Sequence, residues 1–304
     1  MNRNFKGNLL LILAALLWGV SFVMQDKAGA VLSPFTINAI RSIIGSVVLI
    51  PVILIFSKKN GRPFFEKNAE DRKDLLCAGV LCGIFLCIAT NFQQFGIILY
   101  PEEAAASGRS GFITALYVIL VPVFGIFMKK KVGFTVWIGV FLAVIGMCLL
   151  CLSQGISNIY IGDLIVLCCA FAFTMQIICI DKYADRVDGI MLSSLQFFVC
   201  GIMSFVLMFI FEEPSLAQIN EALPYILYLG VVSCGIAYTL QILGQQHSKN
   251  PTVASILMSL ESVFAAISGA IIMSERFSLR ETSGCIIMFA AIVFAQLPPL
   301  SLKK

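Results

Sequence analysis

Long apolar runs alternate with short polar stretches along the whole chain. Each run has the length that a helix needs to cross a bilayer core, about 17–25 residues. The pattern predicts ten membrane-spanning helices, at roughly residues 8–24, 35–56, 75–99, 104–128, 134–152, 161–180, 190–211, 224–245, 251–273 and 281–297. Four prolines stand at or just before predicted helix starts, where a missing N–H costs nothing: Pro34, Pro101, Pro224 and Pro251. We therefore expect an all-α integral membrane protein.

Composition and charge support this expectation and add an orientation. The chain has 304 residues, of which 59% are hydrophobic and 12% charged, against about 25% charged in ordinary soluble proteins. If the N-terminus is cytoplasmic, sixteen of the 21 Lys and Arg residues fall in cytoplasmic segments. We predict a multi-pass protein of the cell (plasma or inner) membrane with both termini cytoplasmic. Orientation then explains the net charge of +4 better than nucleic-acid binding does.

The first apolar run has an alternative interpretation. The run is also compatible with a cleavable signal peptide, because Arg3 and Lys6 precede it and small residues follow it at 28–30. The run is long for that purpose, and the internal repeat described next requires this helix. We therefore interpret it as the first membrane span.

A half-polar phrase occurs twice in the chain. Residues 88–96, IATNFQQFG, and residues 236–244, IAYTLQILG, share Ile-Ala, a Gln four residues after the Ala and a Gly three residues later. Residues 107–139 also align without a gap on residues 252–284. This similarity persists across helix, loop and helix, and it indicates an internal duplication of about 150 residues.

Each copy would contain five helices, and five is an odd number. The second copy must therefore enter the membrane with the opposite orientation to the first. We predict two inverted five-helix repeats, residues 1–155 and 156–304. Such a pair provides two equivalent gates around one central site, which is the architecture of alternating access.

Polar side chains within two matching spans are candidates for the central site. Asn91 and Gln94 are three residues apart and share a helix face, as do Tyr238 and Gln241. An unpaired polar group in hydrocarbon is costly, so these faces must contact protein or a wet cavity. Two interpretations stay open: substrate binding in a cavity, and hydrogen bonds that join helices.

Intramembrane charges provide further candidates. Glu261 follows Pro251 by ten residues and is therefore ~15 Å deep, near the bilayer midplane. A carboxylate there suits substrate binding or proton coupling. The alternative is an ion pair with Arg41, which lies ~9 Å into the second span, within side-chain reach of the same level. Arg41 is accordingly a coupling or gating candidate.

Three more residues are candidates with two interpretations each. Arg109 lies one or two turns into the fourth span, where it either snorkels to the outer surface or faces inward to bind an anionic substrate. Trp18, beside a glycine, is interpreted as tight packing or as a substrate contact, and it is also a gating candidate. Pro122 is expected to bend its helix, either as a hinge or as a shape adjustment.

Small residues form faces on the fifth and tenth spans. Gly139, Ala143 and Gly146 share one face, and Gly284 with Ala291 forms the other. Such faces suit close contact with a neighbouring helix or with another protomer. We predict a homodimer through these two spans.

Cysteine usage indicates no redox or metal chemistry. The eleven Cys residues fall almost wholly within apolar runs and lack a paired spacing, so we interpret them as small buried hydrophobes. No metal site and no cofactor is predicted.

Several segments resemble the EamA family of the drug/metabolite transporter superfamily: WGVSF, PFTINAIRSIIG, FQQFG, SGFITALYVILVPVFG and SLESVFAAISGAIIMSER. The resemblance implies a secondary carrier, often an exporter of amino acids or other small metabolites, with a cavity bounded mainly by spans three, four, eight and nine. It also implies that spans five and ten are peripheral. Tyr117 in the fourth motif is a further substrate-binding candidate. The chain departs from the family pattern at Ser262, where a Pro is usual, and at Lys129 to Lys131, where an acidic residue comparable to Glu275 is expected.

The predicted function is a secondary active transporter that exports a small polar or amphipathic metabolite by alternating access. A gradient would drive it, because no nucleotide-binding motif is present. An integral-membrane enzyme is one alternative, but the chain lacks HExxH, an intramembrane Asp pair and an intramembrane Lys for a Ser and Lys dyad. A non-transporting membrane scaffold is the other.

Overall fold

The computed structural model describes residues 3–59, 69–101, 104–127, 133–151, 160–248, 251–274 and 276–296. Every regular element within these ranges is a helix, as the apolar runs predict. The basic residues Lys129 to Lys131, and Glu275, lie outside the described residues.

The helices follow the predicted spans closely. The amino-terminal helices are α1 (Arg3–Gly29), α2 (Pro34–Lys59), α3 (Ala69–Ile98), α4 (Ala106–Thr114), α5 (Tyr117–Phe127) and α6 (Phe134–Cys151). The carboxy-terminal helices are α7 (Ile161–Tyr183), α8 (Gly189–Phe211), α9 (Leu216–Leu227), α10 (Tyr238–Ser248), α11 (Pro251–Met258), α12 (Leu260–Ser268) and α13 (Leu279–Gln296). Two π-helical segments, Tyr228–Ala237 and Gly269–Met273, continue α9 and α12. The helices α3 and α9 start before their apolar runs, because hydropathy marks only the apolar part of a helix.

Eight helical stretches in the described part of the chain are long and apolar enough to cross a membrane. They are Phe5–Gly29, Pro34–Lys58, Glu70–Ile98, Ala106–Phe127, Ile161–Tyr183, Gly189–Phe211, Leu216–Ser248 and Val253–Met273. These eight correspond to every predicted span except the fifth and the tenth. The protein is therefore a multi-pass membrane protein.

The helices α6 and α13, from the fifth and tenth predicted spans, pack mainly on each other. Gly139 and Gly146 of α6 are buried, as are Gly284 and Ala291 of α13. Contact within one chain therefore accounts for the small residues on these helices, and the homodimer stays a prediction.

Pro224 lies inside α9 and does not begin a helix, contrary to the sequence-based expectation. The helix begins earlier because the Ser215 hydroxyl accepts a hydrogen bond from the Ala217 N–H (3.2 Å) and caps its N-terminus. A proline in a helix interior removes one backbone hydrogen bond. The wider π-helical turns begin four residues later, at Tyr228.

The helix that was expected to bend at Pro122 is interrupted elsewhere. α4 ends at Thr114 and α5 begins at Tyr117, and Leu116 N–H donates to the Ile113 carbonyl (3.1 Å) in the turn between them. This three-residue spacing tightens the backbone into a 3₁₀-type turn. Pro122 itself lies within α5, and its role as a hinge or as a shape adjustment stays a prediction.

A matching interruption separates α11 from α12 at Ser259. Serine side chains explain it, because they compete for the carbonyls that a continuous helix would use. The Ser259 hydroxyl donates to the Ile256 carbonyl (2.8 Å), and the Ser262 hydroxyl donates to the Ser259 carbonyl (2.7 Å). In the gapless sequence alignment, Ser259 falls on Thr114, beside the interruption between α4 and α5.

At two helix crossings, the two backbones lie so close together that a glycine is needed in each helix. A Cβ added at Gly162 of α7 would lie 2.7 Å from the carbonyl oxygen of Gly96 in α3. A Cβ added at Gly7 of α1 would lie 3.0 Å from the carbonyl oxygen of Gly244 in α10. Gly96 and Gly244 are the last residues of the phrase that occurs twice. In both places, the repeated phrase ends at a close helix crossing.

One carboxylate ties the end of α8 to the start of α2. Glu212 Oε1 accepts from Phe35 N–H (2.9 Å), and Oε2 accepts from Thr36 N–H (2.7 Å) and from the Thr36 hydroxyl (2.7 Å). An anion at a helix N-terminus satisfies free backbone donors and interacts favourably with the helix dipole. Glu212 therefore fixes the α2–α8 pair.

Replacing Glu212 by Ala is expected to lower thermal stability in detergent. Loss of a helix cap with charged hydrogen bonds lowers the free energy of unfolding by about 1–3 kcal/mol. Each kcal/mol lost lowers Tm by ~2–4 °C. Its neighbour Glu213, which is exposed and has no hydrogen bond to any residue that the structure describes, provides the matched control. A Glu213→Ala variant with an equal loss would contradict this assignment.

Candidate functional site

A cavity lies in the middle of the helix bundle, between helices from both halves of the chain. Its walls come from α1 to α5, α7, the π-helical segment Tyr228–Ala237 and α10 to α12. The cavity volume is about 40 Å³, which is room for roughly three water molecules. Polar side chains form much of its lining: Ser21, Gln25, Thr90, Gln93, Thr114, Gln176, Ser233 and Gln241.

Two opposite charges line this cavity. Arg41 and Glu261 are the charged side chains among its described lining residues, and they are only 3% and 4% exposed. They form no ion pair with each other, so the direct contact that the sequence left open as an alternative is absent. Arg41 instead lies near Cys200, Cys234 and Tyr238. Both charges therefore face the same small space without neutralising each other by contact.

Several buried polar atoms of the lining have no hydrogen-bond partner within the described part of the chain. They are Trp18 Nε1, Gln25 Oε1, Arg41 Nε and Gln241 Oε1. Buried donors and acceptors are nearly always satisfied, and leaving one unsatisfied costs about 1–3 kcal/mol. A concentration of such atoms around one cavity is typical of a site that receives water and a polar ligand.

The interruption at Ser259 determines where Glu261 lies. Because α12 starts at Leu260, the carboxylate belongs to the first turn of a helix that begins inside the bundle. The partial positive charge of a helix N-terminus favours an anion there. Glu261 lies beside Tyr117 of α5, which follows the corresponding interruption between α4 and α5.

An aromatic cluster forms one wall. Trp18 contacts Tyr238 edge to face, with 4.7 Å between the ring centroids, and Tyr238 contacts Phe197 in the same way at 4.9 Å. Trp18 both packs and lines the cavity, so its two sequence-based interpretations are compatible. Such a wall gives the cavity an apolar surface beside its polar and charged side chains.

The Asn91–Gln94 face does not line the cavity, so that prediction is corrected. Asn91 donates to the Cys87 carbonyl (2.8 Å) and the Ser204 hydroxyl (3.1 Å). Gln94 donates to the Gln25 carbonyl (2.9 Å). Both side chains join helices, because α3 turns this face toward its neighbours. The cavity-lining residues of α3 are Thr90 and Gln93.

The second predicted face does reach the cavity. Tyr238 and Gln241 both line it, and Gln241 also donates to Gln176 Oε1 (3.3 Å). Gln176 in turn donates to Gln196 of α8 (3.1 Å). This chain of amides joins α10, α7 and α8 and ends at the cavity.

Arg109 does not reach the cavity lining, which corrects its prediction as a substrate-binding residue. Its guanidinium forms two 2.8 Å bonds with the Asp163 carboxylate, from Nε and from Nη2. Asp163 also accepts from the Tyr100 hydroxyl (2.7 Å) and the Tyr160 N–H (2.9 Å). We call Arg109, Asp163, Tyr100 and Tyr160 the α4–α7 lock. Arg109 and Asp163 are 9% and 8% exposed, so the pair is buried and Arg109 does not snorkel.

No group of three or more His, Cys, Asp or Glu side chains suited to a metal ion occurs among the residues that the structure describes.

Comparison with known proteins gives the family. The sequence model of the EamA-like transporter family matches residues 5–152 and again residues 160–296. The chain belongs to the EamA-like transporter family. This confirms the resemblance inferred from the sequence motifs.

Three relatives of this EamA-like transporter are named as uncharacterized transporters. The one from Archaeoglobus fulgidus is 26% identical over 97% of this chain and 87% of its own length. The relative from Methanothermobacter thermautotrophicus is 22% identical over 95% of this chain and 86% of its own length. The relative from Buchnera aphidicola subsp. Schizaphis graminum is 23% identical over 86% of this chain and 83% of its own length. A protein of known crystal structure shares the fold, with a TM-score of 0.72 and 17% identity over 98% of this chain and 99% of its own. The protein is a membrane transporter.

Sequence reasoning about this EamA-like transporter missed two residues: Gln93, which lines the cavity, and Asp163, which pairs with Arg109. Gln93 could have been found, because it is the Gln that aligns with Gln241 when the repeated phrases are superposed. Asp163 carries a weaker signal: it is an acidic residue in the first turn of an apolar helix, and the chain has an intramembrane arginine that needs a partner.

Proposed function

We propose that this EamA-like transporter is a secondary active carrier that exports a small polar or amphipathic metabolite, such as an amino acid, through the central cavity. One observation carries the proposal: a single cavity in the middle of the bundle is lined by several buried polar atoms that have no hydrogen-bond partner in the described part of the chain. A merely structural core would satisfy such atoms or replace them with apolar groups. A transport site must leave them free for the solute.

The charges of the cavity support a solute with both an acidic and a basic group. Arg41 can bind a carboxylate, and Glu261 can bind an ammonium group or a proton. The Trp18–Tyr238 wall would contact the apolar part of the solute.

Alternating access is supported by features that occur in pairs. The family model matches twice in succession, close to the proposed repeat limits of 1–155 and 156–304. Each proposed half contributes one of the two helices in both the Gly96–Gly162 and Gly7–Gly244 crossings. Helix packing is paired as well. In the first pair, α3 of the first half packs on α7 of the second half, and in the second pair, α1 of the first half packs on α10 of the second half. Inverted repeats with ten spans and cytoplasmic termini would put these crossings at opposite faces of the membrane, as two gates require.

Counterflow in liposomes tests the proposal. The purified chain, loaded on one side with an unlabelled amino-acid mixture, is expected to accumulate labelled amino acid without chemical change. Arg41→Gln is expected to weaken apparent affinity about tenfold or more, because a charged hydrogen bond contributes about 1.5–3 kcal/mol. The exposed Arg276 provides the control variant Arg276→Gln, which should behave as the natural chain does. A converted product would indicate an enzyme, and neither counterflow nor conversion of any metabolite in a broad panel would indicate a scaffold.

A further inference from the structure

A groove on the side of the bundle opens between α2 and α3, with α8 as its floor. Its volume is about 540 Å³, within the range of about 300–1,000 Å³ that ligand sites occupy. The side chains of Ile50, Leu76 and Phe198 line it and are 41%, 56% and 50% exposed. All three belong to helical stretches that are apolar enough to cross a membrane. In a bilayer, the groove therefore opens to hydrocarbon.

The groove is as deep as one leaflet of the membrane. Phe198 lies nine residues along α8 from its start at Gly189, which is ~14 Å. Half of a hydrocarbon core of about 30 Å is ~15 Å. At the floor, the Ser194 hydroxyl donates to the Ser46 carbonyl (3.1 Å) and ties α8 to α2. The groove is therefore a preformed channel along the acyl-chain direction.

Cations stand at the end of the groove where the helices leave the membrane. Arg72 lines the groove near the start of α3, and Lys58 is exposed at the end of α2. Arg72 forms no ion pair with any residue that the structure describes. The nearby acidic groups are Glu70 and Asp71 in the same turn of α3, and Asp74, which pairs with an arginine before α8 at 3.6 Å. A positive charge is thus free at headgroup level, above an apolar channel.

We propose that this groove binds one anionic glycerophospholipid, with its phosphate at Arg72 and one acyl chain along Ile50, Leu76 and Phe198. The charge selects an anionic headgroup, since basic pockets between helices near a membrane surface bind such lipids. The apolar channel selects a lipid over a free anion. The site is separate from the central cavity, with which it shares no lining residue.

Native mass spectrometry and thermal stability test the proposal on the full chain. The probes are phosphatidylglycerol and phosphatidylcholine with identical acyl chains, added to detergent-solubilised protein, and inorganic phosphate alone. The natural chain is expected to retain one phosphatidylglycerol in preference to phosphatidylcholine and to be stabilised by it. Arg72→Ala should weaken the preference about fivefold. Ile50→Trp should fill the channel and lose retention of both lipids.

Arg276→Ala, which removes an exposed arginine elsewhere, is the control and should retain lipid as the natural chain does. Melting curves identify any variant that fails to fold. If Arg72→Ala does not fold, Arg72→Lys replaces it, and this variant is expected to keep part of the preference for phosphatidylglycerol. Equal retention of the two lipids by the natural chain would overturn the proposal. So would an unchanged preference in Arg72→Ala, or equal stabilisation by inorganic phosphate.

Discussion

Replacing Glu261 by Gln is expected to abolish transport driven by a pH gradient while leaving the protein folded. Glutamine has nearly the same size and shape as glutamate, although an NH2 donor replaces one acceptor oxygen, and it can neither gain nor lose a proton. Glu261 is the one carboxylate among the described residues that line the cavity, so proton coupling has no substitute group there. Uptake into proteoliposomes with an imposed pH gradient measures the effect, and it should fall to the level of empty liposomes.

The control for this result is Glu221→Gln, which makes the same chemical change at an exposed position of α9. It should leave uptake unchanged. Solute counterflow without a pH gradient separates coupling from binding, because it needs the cavity but no net proton movement. An unchanged pH dependence in Glu261→Gln would refute the coupling role.

The fold was largely predictable from the sequence because hydrocarbon imposes one strong rule on the backbone. A chain in lipid must satisfy its own backbone hydrogen bonds, so long apolar runs become helices. This rule does not predict where a helix is interrupted locally. The breaks at Ser259 and between Thr114 and Tyr117 depend on single side-chain hydrogen bonds and tight turns, which do not change hydropathy.

The site was predictable in part, and the error at Gln94 has a clear cause. Periodicity indicates which residues share a face, but it does not indicate which face meets the cavity. Gln94 and Asn91 share a face that turns out to join helices, whereas Gln93 is the residue that lines the cavity. The alignment with Gln241 contained that information, since related positions in a duplicated chain face related surroundings.

The α4–α7 lock makes the two ends of the bundle unequal. Both ends have a glycine crossing, but among the described residues a buried ion pair, Asp163 with Arg109, is found only near the Gly96–Gly162 crossing. In the gapless alignment, Arg109 corresponds to Ala254, so the second half has no arginine at the equivalent position. In the proposed alternating-access cycle, closure of the α4–α7 end, the outer end in the proposed orientation, would therefore depend on charge.

Replacing Asp163 by Asn is expected to open the outer end of the cavity. Removing one partner of a buried ion pair costs about 3–5 kcal/mol, because the other charge stays buried. An open end would allow water to reach Arg109, so the open state escapes this cost and its population rises by roughly 100-fold or more. Cys234 lines the cavity and reports the change: a membrane-impermeant thiol reagent applied outside should label it much faster, as measured by peptide mass spectrometry.

The double variant Arg109→Leu with Asp163→Leu distinguishes a lock from a general loss of structure. Replacing both members of a buried ion pair by apolar residues is often neutral or stabilising, so this variant should return Cys234 labelling to the slow rate of the natural chain. Fast labelling in both variants would indicate that α4 and α7 simply separate when the site is altered. Slow labelling in Asp163→Asn would mean that the ion pair does not control closure, and that the glycine crossing alone is enough.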